Sequence, residues 1–287
     1  MSACTSKVTG GPADPIFRAK VLGKYDVQYY RCKETGFIQT ESPYWLQEAY
    51  SSAISALDVG CVTRNLQFAR STKEIIEKRF PADGQFLDYG GGTGLFVRLM
   101  RDEGFPFLRS DLYCENIFAR GFDLSDRDPD FQDSFVLLTA FELFEHFEHP
   151  KCQIEKMFGL SDTILFSTEL QPDRELTSAD DWWYFVPETG QHIAFYNLRS
   201  LEYLADHFGA RLYSNGASLH MMTRSASLED PFTSLAASRT LHARVLRRLI
   251  SACRRIFSSR QRSARGSLTW PDFELVRSRL SGRPKGK

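Results

Sequence analysis

Phe86-Leu87-Asp88-Tyr89-Gly90-Gly91-Gly92-Thr93-Gly94-Leu95-Phe96-Val97-Arg98 is the stretch on which the fold turns. A short apolar strand runs into a cluster of glycines, and an amphipathic helix follows with Leu95, Leu99 and Met100 on one side. Gly90, Gly92 and Gly94 fit G-x-G-x-G, in which the missing side chains let backbone N–H groups approach a ligand closely. The helix N-terminus behind them favours an anionic group, phosphate or carboxylate. The G-x-G-x-x-G spacing of dinucleotide enzymes is absent, because position 95 is leucine. A second apolar segment, Phe105 to Ser110, ends in Asp111. An acidic residue at the end of the second strand of a βαβ unit is placed to accept hydrogen bonds from ribose hydroxyls.

These residues resemble motifs I and II of the class I methyltransferases that use S-adenosylmethionine (SAM), here Leu87 to Gly94 and Asp111. The likeness extends through Tyr113-Cys114-Glu115-Asn116, Phe141-Glu142-Leu143-Phe144-Glu145-His146 and Gly190-Gln191-His192, as in the branch related to ubiquinone and glycan methyltransferases. The resemblance implies that Asp88, Gly90, Gly92 and Gly94 receive the methionyl part of SAM, and that Asp111 takes the ribose. Asp123, after a third strand, is a candidate for the adenine edge, weighed against a plain surface aspartate among Asp126, Asp128 and Asp130.

Composition bounds the rest. The chain of 287 residues has ample apolar content for a core, and no run approaches the 18 apolar residues that a membrane span needs. Met1 to Pro15 lacks the apolar segment of a signal peptide. The six cysteines are scattered without a C-x-x-C pair, which argues against a disulfide framework and for a reducing, cytoplasmic setting. Charge is split: the residues from Arg239 onward carry 14 basic and 2 acidic groups, net +12, and the first 238 carry 22 and 34, net −12. Such asymmetry predicts a separate tail.

Along the chain, residues 1–20 are small and polar and read as a loose end; Tyr25–Cys32 and Gly36–Thr40 read as a hairpin. In related methyltransferases this region often carries paired cysteines that bind zinc; the second cysteine after Cys32 is lacking, so no metal is expected there. Pro43 to Arg79 reads as a mostly helical cap. Strands are expected at 85–89, 106–110, 118–122, 134–140 and 163–168, then a helix from Asn197 to Gly209 and a hairpin of Leu212–Ser214 with Leu219–Thr223. With the resemblance this gives an α/β fold: a Rossmann-like, seven-stranded sheet in residues 81–225, an N-terminal cap over 1–80 and a basic helical tail over 226–287. In the tail, Leu241, Val245, Leu249, Ile250 and Cys253 recur at helical spacing among arginines, a pattern open to a membrane surface, RNA, an acidic partner or packing on its own domain.

A second constellation is Glu142, Glu145 and His146, at i, i+3 and i+4. A helix begun after the fourth strand would place all three on one face, at the carboxyl end of the sheet where ligands bind. With His192 they resemble the Glu, Glu, His, His divalent-metal site of some ubiquinone-pathway and small-RNA 2′-O-methyltransferases, which implies Mg²⁺ or Mn²⁺ at Glu142, Glu145, His146 and His192. His149 is a spare ligand. The alternatives at this point are catalysis by His192 or His146 as a base, and a structural role. Trp182-Trp183-Tyr184 reads as a lid or acceptor wall, against plain packing. The expected function is SAM-dependent O-methylation of a small-molecule or carbohydrate-type (glycan) acceptor. The rivals are methylation of RNA, drawn by the basic tail and the metal-like set, and a non-catalytic SAM-fold binding module.

Overall fold

The computed structural model describes residues 4–51, 57–81, 83–127, 134–233, 266–269, 271–272 and 274–275. In chain order the elements are β1 (Cys4–Thr5), β2 (Pro12–Val21), β3 (Tyr25–Cys32), β4 (Ile38–Thr40), α1 (Leu46–Ala49), α2 (Cys61–Arg79), β5 (Phe86–Tyr89), α3 (Leu95–Asp102) and β6 (Phe107–Ser110). There follow β7 (Leu137–Ala140), α4 (Pro150–Phe158), β8 (Thr163–Ser167), β9 (Ala194–Phe195), α5 (Leu198–His207), β10 (Arg211–Ser214) and β11 (Leu219–Thr223).

Strands β5, β7 and β8 are buried along nearly their whole length, as a parallel sheet covered on both faces requires. The sheet order is β10-β11-β8-β7-β5-β6, parallel from β8 to β6 and antiparallel at the β11 and β10 end. Helix α3 covers it with Phe96, Val97 and Met100. Asn197 caps α5 by accepting from the Ser200 amide at 2.8 Å, and Gly209 follows the helix at φ +64°, where a β-carbon would be strained. Leu201, Leu204 and Ala205 form the buried face of α5, and Leu198 stays exposed.

Two expectations about this sheet need correction. It has six strands among the described residues, and the third strand expected at 118–122 is a single bridge between Arg109 and Asp123. Side-chain bonds hold that segment where a ladder was expected: Asn116 grips Ala119 from both its amide and its carbonyl.

Residues 4–20 are not loose. β2 is the longest strand, in a second sheet ordered β1-β2-β3-β4-β9. Pro12 and Pro15 hid it, since proline removes a ladder donor; the register shifts between Pro15 and Phe17. β9 closes this sheet from far along the chain, and Phe17, Tyr29, Ile38 and Trp45 share a core with Trp182, Phe185 and Phe195. The cap is therefore built from residues on both sides of the boundary expected at 80.

The tail boundary also shifts. Leu228 and Phe232 are buried in the main core. Asp272, 4% exposed, forms a two-pronged ion pair with the buried Arg101 of α3 at 2.6 and 2.8 Å. The basic amphipathic segment with Leu241, Val245, Leu249, Ile250 and Cys253 lies outside the described residues. No described helix is long and apolar enough to cross a membrane.

Candidate active site

The glycine loop lies where β5 gives way to α3. Gly90, Gly92 and Gly94 all take positive φ, at +74°, +53° and +81°. At Gly94 a β-carbon would sit 2.6 Å from Asn116 Oδ1 and 3.1 Å from the Ala119 amide, so glycine is required there. At Gly92 the same direction is open space, which leaves that face of the loop clear for a ligand. Asp111, at the end of β6, accepts from the Gly92 amide at 2.9 Å through Oδ2, and from the Tyr113 and Cys114 amides through Oδ1 at 2.8 and 2.7 Å. A carboxylate has about four acceptor positions, so one remains for a ribose hydroxyl.

Asp88 is buried behind the loop, where Thr139 donates to its Oδ1 at 2.7 Å, and burial pushes its pKa up to about 7. That places it as support of the loop more than as a direct ligand. Asp123 has both oxygens engaged, one by Arg109 Nη1 at 2.5 Å and the other by Asn116 Nδ2 at 2.8 Å. As at Asp111, bonds of this kind leave acceptor positions open on Asp123, whose side chain is 25% exposed.

The acidic and histidine set is built differently from the expected helix face. Glu142 adopts φ +51°, and the chain then makes a 3₁₀ turn over Phe144–His146. No α-helix can begin at such a residue, and stacking of Phe144 on Phe166, centroids 4.0 Å apart, draws the turn inward. Glu142 is thereby parted from the other three. Its carboxylate accepts from Ser167 Oγ at 2.7 Å and lies 3.3 Å from Arg64 Nε. Glu145, His146 and His192 do converge: each offers one ligand atom, and these lie within 4.8 Å of one another. His149 stands apart as the residue before α4.

Hydrogen bonds define the protonation of the set. His146 Nδ1 lies 3.0 Å from the Gln191 carbonyl, and His192 Nδ1 lies 2.7 Å from the Tyr184 carbonyl. A carbonyl only accepts, so His192 Nδ1 carries the proton and its Nε2 keeps a free lone pair; His146 does the same when its Nδ1 donates to Gln191, with the Tyr50 hydroxyl 3.0 Å from that atom competing as a donor. Burial lowers the His146 pKa to about 4; burial, then the charge of His146, lowers that of His192 to about 3, so both rings are neutral at pH 7. Glu145 is wholly buried; its carboxyl makes no hydrogen bond of good geometry, and the Tyr184 hydroxyl is the polar group that interacts with it. Desolvation first, then the charge of Glu142, drives its pKa well up. A buried carboxyl beside two imidazole nitrogens is a donor set of the kind that can hold a cation.

Sequence reasoning missed several members. Tyr50 places its hydroxyl 3.0 Å from His146 Nδ1 and stacks on Tyr113, but no local pattern links residues 96 apart. Arg64 reads in sequence as one more helix charge. Of the aromatic trio, Trp182 and Tyr184 are packed inside and Trp183 is 71% exposed, so only Trp183 is free to meet an acceptor.

Comparison with known proteins bears on this site. A search of curated proteins finds no match. Solved structures similar to the chain include CalO1, a methyltransferase of calicheamicin biosynthesis in its SAH-bound form, at 14% identity and TM-score 0.44, covering 63% of this chain and 60% of that one. The plantazolicin methyltransferase BpumL with SAH aligns at 12% identity and TM-score 0.43 over 64% of this chain and 92% of that one. An O-methyltransferase family protein from Burkholderia thailandensis aligns at 14% identity and TM-score 0.46 over 65% and 64%. A family described as "Methyltransferase domain" matches residues 62–215, more than half of the sequence and the whole span from α2 through β10. The chain therefore belongs to the methyltransferase-domain family.

Proposed function

We propose that this protein transfers the methyl group of SAM to an oxygen of a small-molecule or carbohydrate-type acceptor, with a divalent cation, Mg²⁺ or Mn²⁺, held by Glu145, His146 and His192. The observation that carries the reading is the convergence, within 4.8 Å, of a buried carboxyl and two imidazoles whose Nδ1 atoms face backbone carbonyls. Carboxylate oxygen with imidazole nitrogen suits a first-row or magnesium ion. Bound there, such an ion supplies Lewis acidity that lowers the pKa of an acceptor hydroxyl.

The chain's own residues do the remaining work. The glycine loop and Asp111 would hold SAM, which would supply the methyl group. Tyr184 and Gln191 fix the two imidazoles through their carbonyls, and Trp183 offers an exposed ring on which an acceptor can stack. Histidine acting as the base is the weaker reading. A ring whose pKa is lowered to about 3 or 4 is a poor proton acceptor at neutral pH. RNA as acceptor draws on the basic segment beyond residue 238 and on the likeness of the metal-type set to that of small-RNA 2′-O-methyltransferases, and it is the second reading.

Chelation tests the proposal. Methyl transfer should collapse in chelator and return on adding Mg²⁺ or Mn²⁺, while SAM affinity measured by calorimetry barely changes. Full activity in chelator, with His192→Ala still inactive, would sink the metal and leave histidine as the base. Mass spectrometry of extracts incubated with enzyme and isotopically labelled SAM identifies the acceptor.

A further inference from the structure

Arg109 stands inside strand β6 with 3% of its surface exposed, where a parallel strand is ordinarily aliphatic. A guanidinium does not shed its charge, so its burial demands partners. They come from the glycine loop and from two points of the connection after β6. Nε donates to the Gly92 carbonyl at 2.6 Å, Nη1 to Asp123 Oδ1 at 2.5 Å, and Nη2 to the Cys114 carbonyl. Gly92 is thus gripped from both sides, since its amide donates to Asp111 Oδ2 at 2.9 Å. Asp111 in turn ties down the turn that contains Cys114. Asp123 passes the restraint on through Asn116, whose Oδ1 lies against Gly94. The glycine loop and the turn after β6 are therefore wired to one side chain.

We propose that Arg109 is the positioning residue of the cofactor pocket: its planar fork holds the Gly92 peptide and the Asp111–Cys114 turn in their receiving orientation before SAM arrives, without touching SAM itself. A glycine at φ +53° with open space beside it is otherwise free to reorient, and ordering it on binding would cost affinity. Lysine cannot replace the fork, because a point charge reaches only one of three divergent acceptors well. The inference rests on the reading that the glycine loop and Asp111 receive SAM.

The test is calorimetric titration of the full chain with SAM, beside thermal unfolding without ligand, for Arg109→Lys, Asp123→Asn and Asp111→Ala. Folded Arg109→Lys is expected to bind SAM roughly tenfold or more weakly, and Asp123→Asn by a smaller factor. Adding Asp111→Ala to Arg109→Lys should cost less than it does in the wild type, because both act through the Gly92 peptide. A purely structural arginine would lower the melting temperature and leave the affinity of the folded protein unchanged. If Asp111→Ala binds SAM normally, the pocket itself is misplaced and the inference goes with it. If Asp111→Ala binds weakly while folded Arg109→Lys binds as the wild type, the pocket stands and the role of Arg109 is overturned. Should Arg109→Lys not fold, Asp123→Asn decides by the same criterion: weaker binding supports the role, and unchanged binding overturns it.

Discussion

Glu145 is the residue that separates this site from an ordinary acidic surface, because its carboxyl is wholly enclosed. The neighbouring imidazoles give it a pH signature. A base whose folded pKa is lowered binds fewer protons folded than unfolded, so its stability is full above the ordinary histidine pKa of 6.5 and declines as pH falls toward about 4. For His146 the step from pH 7.5 to 5 amounts to about 2 kcal/mol. Asp88, raised to about 7, pulls in the opposite direction and gains stability as pH falls toward 3.8. The clean measurement is therefore a difference: urea unfolding in chelator of wild type against His146→Gln at the two pH values. The gap should move by about that amount in favour of the variant at pH 5, and a constant gap would mean that the ring is not held neutral. On the cofactor side, Asp111→Ala should weaken SAM by about 1.5–3 kcal/mol while leaving the fold intact, as read by calorimetry.

Between elements, the most exposed prediction concerns the segment docked on α3. Arg101 is buried, donates from Nε and Nη2 to Asp272, and lies 3.7 Å from the Phe122 ring. Asp272→Ala leaves that guanidinium without its counter-charge, a loss of about 3–5 kcal/mol that should appear as a large fall in melting temperature. Replacing both partners, Arg101→Met with Asp272→Leu, should recover much of it. This pair was illegible in sequence, since the two residues are 171 apart and each looks like an ordinary surface charge. What could be read was local. The strand, glycine loop and helix at 86–102 appear where propensity and spacing place them, and so do α5 with its Asn197 cap and the β10–β11 hairpin. Pattern failed where side chains override it: a strand interrupted by prolines at β2, a strand replaced by Asn116 and Arg109 bonds, and a helix face broken at Glu142. At the candidate site, Glu145, His146 and His192 were legible as a set, whereas Tyr50 and Arg109 enter through contacts that no spacing encodes.

For the whole molecule, the two sheets are not independent bodies hung on one chain. A fragment ending near Ser225 removes Leu228 and Phe232 from the main core as well as Asp272 from Arg101. It should be markedly less stable than the full chain, and the check is comparative thermal unfolding. A fragment that melts with the full chain would show that these contacts contribute little. The second core, shared by residues 17–49 and 176–195, likewise means that the N-terminal sheet cannot be trimmed without disturbing the segment that carries His192.

Ile193 carries that connection in its backbone. Its amide donates to the Glu145 carbonyl at 2.9 Å, and its own carbonyl accepts from Thr40 at 3.1 Å. One residue thus bridges the turn of the main sheet that holds two of the converging groups and the edge of the other sheet, with the third group adjacent in sequence. In hydrogen–deuterium exchange, the amides of Thr40 and Ile193 belong to one cooperative opening unit, so they should become labelled together at one free energy. Any motion that frees the N-terminal sheet would at that moment dismantle the Glu145, His146 and His192 cluster, which makes proton exchange at Thr40 a reporter on the integrity of a site it never touches.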